Sequence, residues 1–266
     1  MASTAVGVEV KLLSDLRSRG VSDSGRKPAA QLSLQLAHES GIVGLAQLST
    51  VSKKTFANGD GVNLLLAAGY RFGDPEGWHY GVGLASEFYP GASFVAPHRI
   101  NPATGEASDF RRTRYNTSYA MVDIGWGGLE GRIMTVISGN LRGANTGGVC
   151  GQTLVAAANP TAGLACYARG DHDSRGTMLY DIGYRYDLTP TTTIKLHAGT
   201  QIVRHFKEAN LTDYSIGIVH QRWGFEWSAE WMGTKVRQAE VFKIADGNGW
   251  KAQNDRRLVF TVSRKF

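Results

Sequence analysis

The fold class this sequence predicts is all-β: a transmembrane, antiparallel, up-and-down β-barrel of 12 strands, formed as a single domain over residues 1–266. Three observations carry that expectation. Apolar and polar residues alternate with period two from end to end, as in strands whose two faces meet unlike surroundings. Connections alternate short and long, so every long loop falls at one end of the sheet. The composition agrees: 33 Gly, 10 Tyr, 10 Phe and 6 Trp against 7 Pro suit strands joined by tight turns.

The strand cores follow in order. The first, 5–17, sets Val6, Val8, Val10 and Leu12 on one face, and the second, 28–39, does the same with Leu32, Leu34 and Leu36. The third, 41–51, is less clear, because Val43 and Leu45 share a face with Gln47 and Ser49. Core 61–72 alternates Leu64, Leu66, Ala68, Tyr70 and Phe72 with Asn63, Gly69 and Arg71. Cores 78–89, 112–126 and 130–140 come next. Core 175–188 alternates Tyr180, Ile182, Tyr184 and Tyr186 with Asp181, Arg185 and Asp187. Cores 192–204 and 211–222 precede 224–236, where Phe225, Trp227 and Trp231 alternate with Glu226, Ser228 and Glu230. The last, 255–266, carries Leu258, Phe260 and Val262.

Short connections lie at 39–41, 73–77, 127–129, 189–191 and 222–224. Long ones lie at 18–27, 52–60, 90–111, 141–174, 205–210 and 237–254. A soluble sandwich has no reason to segregate them. A membrane barrel does, with short periplasmic turns and long extracellular loops. Apolar content of 42% and charged content of 20% exclude a disordered chain. A mean hydropathy of −0.22 excludes a helical membrane protein, and the charge-free stretch Gly143 to Ala168 carries too much Gly, Asn and Pro for a spanning helix. The net charge of +6 has no basic run interleaved with aromatics, so nucleic acid is not an expected partner. Residues 1–4 lack the pattern of a secretory signal, so an exported chain is expected to be a mature form.

Trp78, Trp126, Tyr184, Tyr186 and Trp223 lie beside short turns and Phe266 is the last residue, which predicts an aromatic girdle at the periplasmic rim. Phe88, Tyr89, Tyr115 and Trp231 are expected at the opposite rim. With the apolar faces on lipid, the polar faces line a lumen. The expected pore lining is Lys11, Arg17, Arg71, Arg132, Arg185, Lys195 and Arg257 opposed by Glu87, Asp123, Asp181, Glu226 and Glu230. Such rows brace the wall as ion pairs or test the charge of a passing solute. Basic loop residues, among them Arg26, Lys27, Lys53, Lys54, Arg112 and Arg114, would concentrate anions at the mouth or meet lipopolysaccharide phosphates.

Cys150 and Cys166 share the 141–174 loop and are expected to pair as a disulfide in an oxidising compartment. Thr153 to Ala158 reads as a helical turn stopped at Asn159-Pro160, and the sparing polarity of the loop predicts that it folds over or into the mouth and sets a constriction. Neither cysteine has the spacing of a zinc site, and no cofactor or metal is expected. Asp171-His172-Asp173 is the group most open to a catalytic reading. A lone stretch of this kind in a loop is more often solvated polarity, and no G-x-S-x-G or HExxH accompanies it. No catalytic residue is assigned.

The ending Leu258-Val259-Phe260-Thr261-Val262-Ser263-Arg264-Lys265-Phe266 resembles the closing strand of bacterial outer-membrane proteins, which the barrel-assembly machinery reads; Arg264 departs from the usual apolar residue. The opening Ser14-Asp15-Leu16-Arg17-Ser18-Arg19-Gly20-Val21-Ser22, with Lys27-Pro28-Ala29 and Gln31, resembles that of the TorF-like (Gcw_chp) family of outer-membrane porins, with Leu16 in place of an aromatic. His38-Glu39-Ser40-Gly41, Tyr89-Pro90-Gly91 and Asp213-Tyr214-Ser215-Ile216-Gly217 follow the same pattern in order, whereas the 141–174 insert departs from it. The resemblance implies an outer-membrane barrel of the porin kind and no defined substrate or catalytic residue. The function expected from the whole reading is a monomeric channel passing small polar or charged solutes by diffusion. A barrel enzyme acting on lipid or envelope substrate, and a plugged structural or adhesion barrel, are the alternatives.

Overall fold

Alternating strands of one polarity pattern close here into one cylinder. The structure, a computed structural model, describes residues 3–74, 76–101, 103–157, 160–247 and 249–266. Pro75 of the second short turn and Ala158 and Asn159 of the expected helical turn lie outside them. The barrel strands are β1 (Thr4–Leu13), β2 (Ala29–His38), β3 (Ile42–Thr50), β4 (Val62–Gly73), β5 (Trp78–Phe88), β6 (Thr117–Trp126), β7 (Leu129–Val136), β8 (Met178–Thr189), β9 (Thr192–Ile202), β10 (Leu211–Arg222), β11 (Phe225–Val236) and β12 (Arg257–Lys265). Each pairs antiparallel with its sequence neighbour, and β12 closes on β1 through Leu12↔Val262. This is the 12-stranded up-and-down barrel the alternation predicts. Strands of 8 to 12 residues match the length that crosses a bilayer when tilted.

Short turns obey local chemistry. At β10–β11 the two central residues, Trp223 and Gly224, have φ of 55° and 76°, the left-handed pair that two-residue hairpins use. The outer face is apolar: Val6, Leu32, Leu84, Val122, Ile182, Ile216 and Phe260 are all exposed. Such a continuous apolar surface is unfavourable in water and favourable against lipid.

The buried core sits in the mouth at the long-loop end, not between layers. Leu141, Val149, Cys150, Cys166 and Tyr167 of the longest loop pack against Tyr119, Val136 and Leu179 of the inner wall, and against Val203 and Phe206. In that loop a π-helical turn, Thr146–Cys150, runs into α1 (Gly151–Ala156), overlapping the stretch where one helical turn or more is expected, and α2 (Thr161–Tyr167) follows. Cys150 and Cys166 are disulfide-bonded between them, with Cα atoms 5.3 Å apart. Closing a loop of this size stabilises it by about 3 kcal/mol in the chain-entropy model. Replacing both cysteines by serine is therefore expected to speed amide exchange across 144–169 while the barrel strands keep their protection.

Several boundaries differ from expectation. The expected first strand ends early, because 14–17 turn into a hairpin of Arg17–Ser18 with Val21–Ser22. Residues 112–114 belong to a long-loop hairpin, Ser93–Ile100 with Ala107–Arg114, rather than to β6. A third small hairpin joins Lys243–Ala245 to Trp250–Ala252. Tyr89 and Tyr115, expected at an outer rim, face inward. Tyr89 stacks on Phe56 at 4.1 Å, and Tyr115 meets Phe56 edge-on at 5.3 Å. Period two explains it: Phe88 is exposed outside, so the next residue points in.

Candidate functional site

Because inward residues recur every second position, hydrogen-bond register arranges them in rows that wind around the lumen. One row carries charge. Arg71 of β4 lies opposite Gly81 of β5, then come Asp123, Arg132, Asp181, Gly199, Asp213 and Thr234 on β6 to β11. Arg132 donates to Asp123 on the adjacent strand. His197 Nε2 lies 2.8 Å from Asp213 Oδ2 and 3.7 Å from Asp181 Oδ1.

The remaining cation of this cluster comes from outside the barrel. The hairpin after β1 dips into the lumen and puts Arg19 at its tip, with φ of 51°. Its guanidinium binds Asp181 at 2.7 Å and Asp213 at 3.1 Å. Gly199 makes room for it: a Cβ there would stand 2.8 Å from Arg19 Nη1 and 2.7 Å from Asp181 Oδ1. Gly20 is as constrained, with φ of 68° and Thr234 Oγ1 only 1.9 Å from where a Cβ would be. Arg19 was not among the expected lining residues. The Arg19-Gly20 pair in the opening motif was the available signal.

Arg17, expected in the pore lining, serves the hairpin instead. Its side chain is 1% exposed; Nε donates to Asp15 at 2.8 Å and Nη2 pairs with Asp255 at 2.7 Å. Asp15 also accepts Ser22 Oγ at 2.6 Å and Ser24 Oγ at 2.9 Å. Arg257 likewise pairs with Asp255, at 3.2 Å.

Two rows adjacent to the charged one are mostly apolar. Ala5, Ala37, Val43, Gly69, Gly83, Met121, Met134 and Leu179 form the nearer, and Leu45, Ala67, Ala85 and Tyr119 belong to the next. Beyond them Glu87 meets the mouth. There Arg142, φ 46°, pairs with Asp23 and Glu87, donates to Tyr89 Oη at 2.8 Å, and lies over the Phe56 and Tyr89 rings. Burial pushes the Asp23 carboxyl up despite the Arg142 charge. Toward the short turns, Lys11 pairs with Glu9 at 3.1 Å, and Lys195 and Lys265 each lie 3.8 Å from Glu226. Arg71 and Arg185 are exposed to the lumen, and neither these two nor Glu230 has an ion pair among the described residues.

A cavity of about 1400 Å³ connects the charged row, the two apolar rows and the Arg142 layer. It is lined from Ala5, Ala37 and Arg71 near the short-turn end to Pro97, Val155 and Lys243 in the long loops. The girdle residues Trp78, Trp126, Tyr184, Tyr186, Trp223 and Phe266 are all exposed at the short-turn end. Arg264 lies over the rings of Phe225 and Phe266, which gives this departure from the apolar pattern a physical use.

Several loop charges act as clamps. Asp171 binds His98 Nδ1 at 2.6 Å and Arg111 at 2.8 Å; His172 stacks on His205; Asp173 accepts the Arg175 amide. Arg169 holds Glu208 with two hydrogen bonds of 2.8 and 2.9 Å. Among the described residues no His, Cys, Asp or Glu cluster is arranged to hold a metal ion. For Asp171, Glu208 and Asp255, burial raises the carboxyl, but the hydrogen bonds and charge of His98 and Arg111, of Arg169 and of Arg17 outweigh it and leave each below its ordinary value. A depressed carboxyl stabilises the fold fully above its unfolded pKa, about 4, and loses that contribution as pH falls through the lower folded value. Amide exchange across 141–174, corrected for intrinsic rate, is therefore expected to lose protection between pH 5 and pH 3 while the barrel keeps its own.

Apolar outside and charged within, closed on itself, the chain has the build of a membrane-spanning β-barrel. Residues 2–266 match Gcw_chp, described as a bacterial protein of unknown function, and the chain belongs to that family. No curated protein matches the sequence. Among solved structures, the chain is similar to the KdgM porin at 6% identity and a TM-score of 0.48, covering 98% of this chain and 98% of that one. It is similar to the NanC porin at 9% identity and 0.49, covering 97% and 98%. The β domain of the Bordetella autotransporter BrkA follows at 11% and 0.40, covering 98% and 99%.

Proposed function

We propose that this protein is an outer-membrane channel through which small polar or charged solutes diffuse passively. The observation that carries the reading is the cavity that runs inside an apolar-walled barrel from the short-turn end into the long loops. A plugged barrel of this size would fill that space with side chains. In this reading the short turns face the periplasm, and the aromatics beside them sit at the lipid interface. Lys27, Lys53, Arg112 and Arg114, which have no ion pair among the described residues, meet lipopolysaccharide phosphates or gather anions. The barrel-assembly machinery takes β12, and the closed sheet, with no free edge, suits a monomer.

Two segments narrow the channel: the Arg19 hairpin at mid-lumen and the disulfide-closed loop in the mouth. Lumenal ion pairs brace the wall, while Arg71, Arg185 and Glu230 are left to act on solutes. Each member of the Asp171-His172-Asp173 stretch is occupied by a structural contact, which supports a channel over a hydrolase at the rim. Liposome swelling tests the reading. Proteoliposomes are expected to swell in solutions of small amino acids and sugars at rates that fall with solute size. Swelling no faster than in protein-free liposomes would count against a channel.

A further inference from the structure

The passage is two-faced, and the asymmetry points to the class of solute it carries. The inserted segments crowd one side. The Arg19 hairpin rests on β8, β10 and β11, and the 141–174 loop packs on Tyr119, Val136 and Leu179 of β6 to β8. Opposite these contacts the cavity is walled on β3, β4 and β6 by Val43, Leu45, Ala67 and Met121. These side chains are only half-buried, so they stay in contact with the passage. An aqueous lumen is ordinarily polar, and an apolar wall facing water is unfavourable unless something apolar visits it.

The charges beside this wall are unequal. Asp123 is held by Arg132, and Asp181 and Asp213 are held by Arg19 and His197. Arg71, on the same row and lining the same cavity, is exposed and has no ion pair among the described residues. Each carboxylate of the row thus has an arginine partner, and beside the apolar strip the cavity presents Arg71, a cation without an ion partner among the described residues. We propose that the channel is specific for small amphipathic anions, meaning a carboxylate or sulfonate on a compact apolar or aromatic body. The anionic head passes by way of Arg71, and the body slides along the Leu45 and Met121 wall. This rests on the channel reading above.

The test uses the full chain in planar bilayers, with the potassium salts of benzenesulfonate and isethionate on opposite sides. Both anions stay charged, and isethionate is smaller, so a simple size filter passes isethionate faster. The expected reversal potential gives benzenesulfonate the higher permeability, by about threefold or more, as partial desolvation of a phenyl ring permits. The double variant Leu45→Gln with Met121→Gln is expected to reverse that order while still migrating as a folded, heat-modifiable barrel. Arg71→Gln is expected to keep the order and lose preference for chloride over potassium. A channel that steps in KCl but passes isethionate faster overturns this inference alone. No shift in Arg71→Gln overturns the place given to that cation. No conductance from folded protein overturns the channel reading and this inference with it.

Discussion

Arg19→Ala is expected to conduct about twice as much as the wild type and to shift its selectivity toward cations, since side-chain charge at a constriction sets both entry and selectivity. The cause is local. Arg19 alone reaches across the lumen from the hairpin, and it pairs with Asp181 and Asp213 together. Truncation vacates the space its guanidinium fills between β8 and β10 and leaves two carboxylates facing the passage with only His197 beside them. Single-channel current in KCl and reversal potential across a salt gradient read the two effects separately. Arg19→Lys should restore cation–anion balance more than conductance, because an ammonium lacks the fork that binds both carboxylates. Unchanged current in Arg19→Ala would mean that the hairpin tip does not limit flow.

Asp15→Asn is expected to release the whole hairpin. Asp15 and Arg17 are both 1% exposed, and Asp15 accepts three side-chain hydrogen bonds that set the hairpin's base. Breaking a buried pair by removing one charge costs about 3–5 kcal/mol. A loop held mainly by such contacts does not retain its place against that loss. Trypsin added from the loop side should cleave the variant after Arg17 or Arg19 and spare the wild type. The conductance of Asp15→Asn should move in the direction of Arg19→Ala. Equal protection of variant and wild type would show that the hairpin is held by other contacts.

The barrel was legible because a strand's two faces repeat every second residue and because loop length alternates with side of the membrane. Neither depends on long-range contacts. The inserted segments were not legible for the opposite reason. Arg17 continues the alternation of β1 and so reads as strand, but its charge is met by Asp255, which is 238 residues away. Arg19 falls past the alternating stretch, and nothing local marks it as the residue that crosses the lumen. Only its glycine neighbour, forced by Thr234, leaves a trace in the sequence. The apolar wall did leave a signal. Val43 and Leu45 blurred the alternation of β3 because they line an apolar part of the lumen while Leu48 and Ile42 face out. Which lumenal charges stay unpaired depended on register across strands, as with Arg71 opposite Gly81.

Single-channel recording of refolded, heat-modifiable wild-type protein in a planar bilayer tests the central claim most directly. Discrete, steady conductance steps in KCl are expected, carried by the cavity that runs from the short-turn end to the loops. Persistent silence from protein shown to be folded and inserted would contradict it and would mean that the inserted hairpin and the disulfide-closed loop seal the barrel.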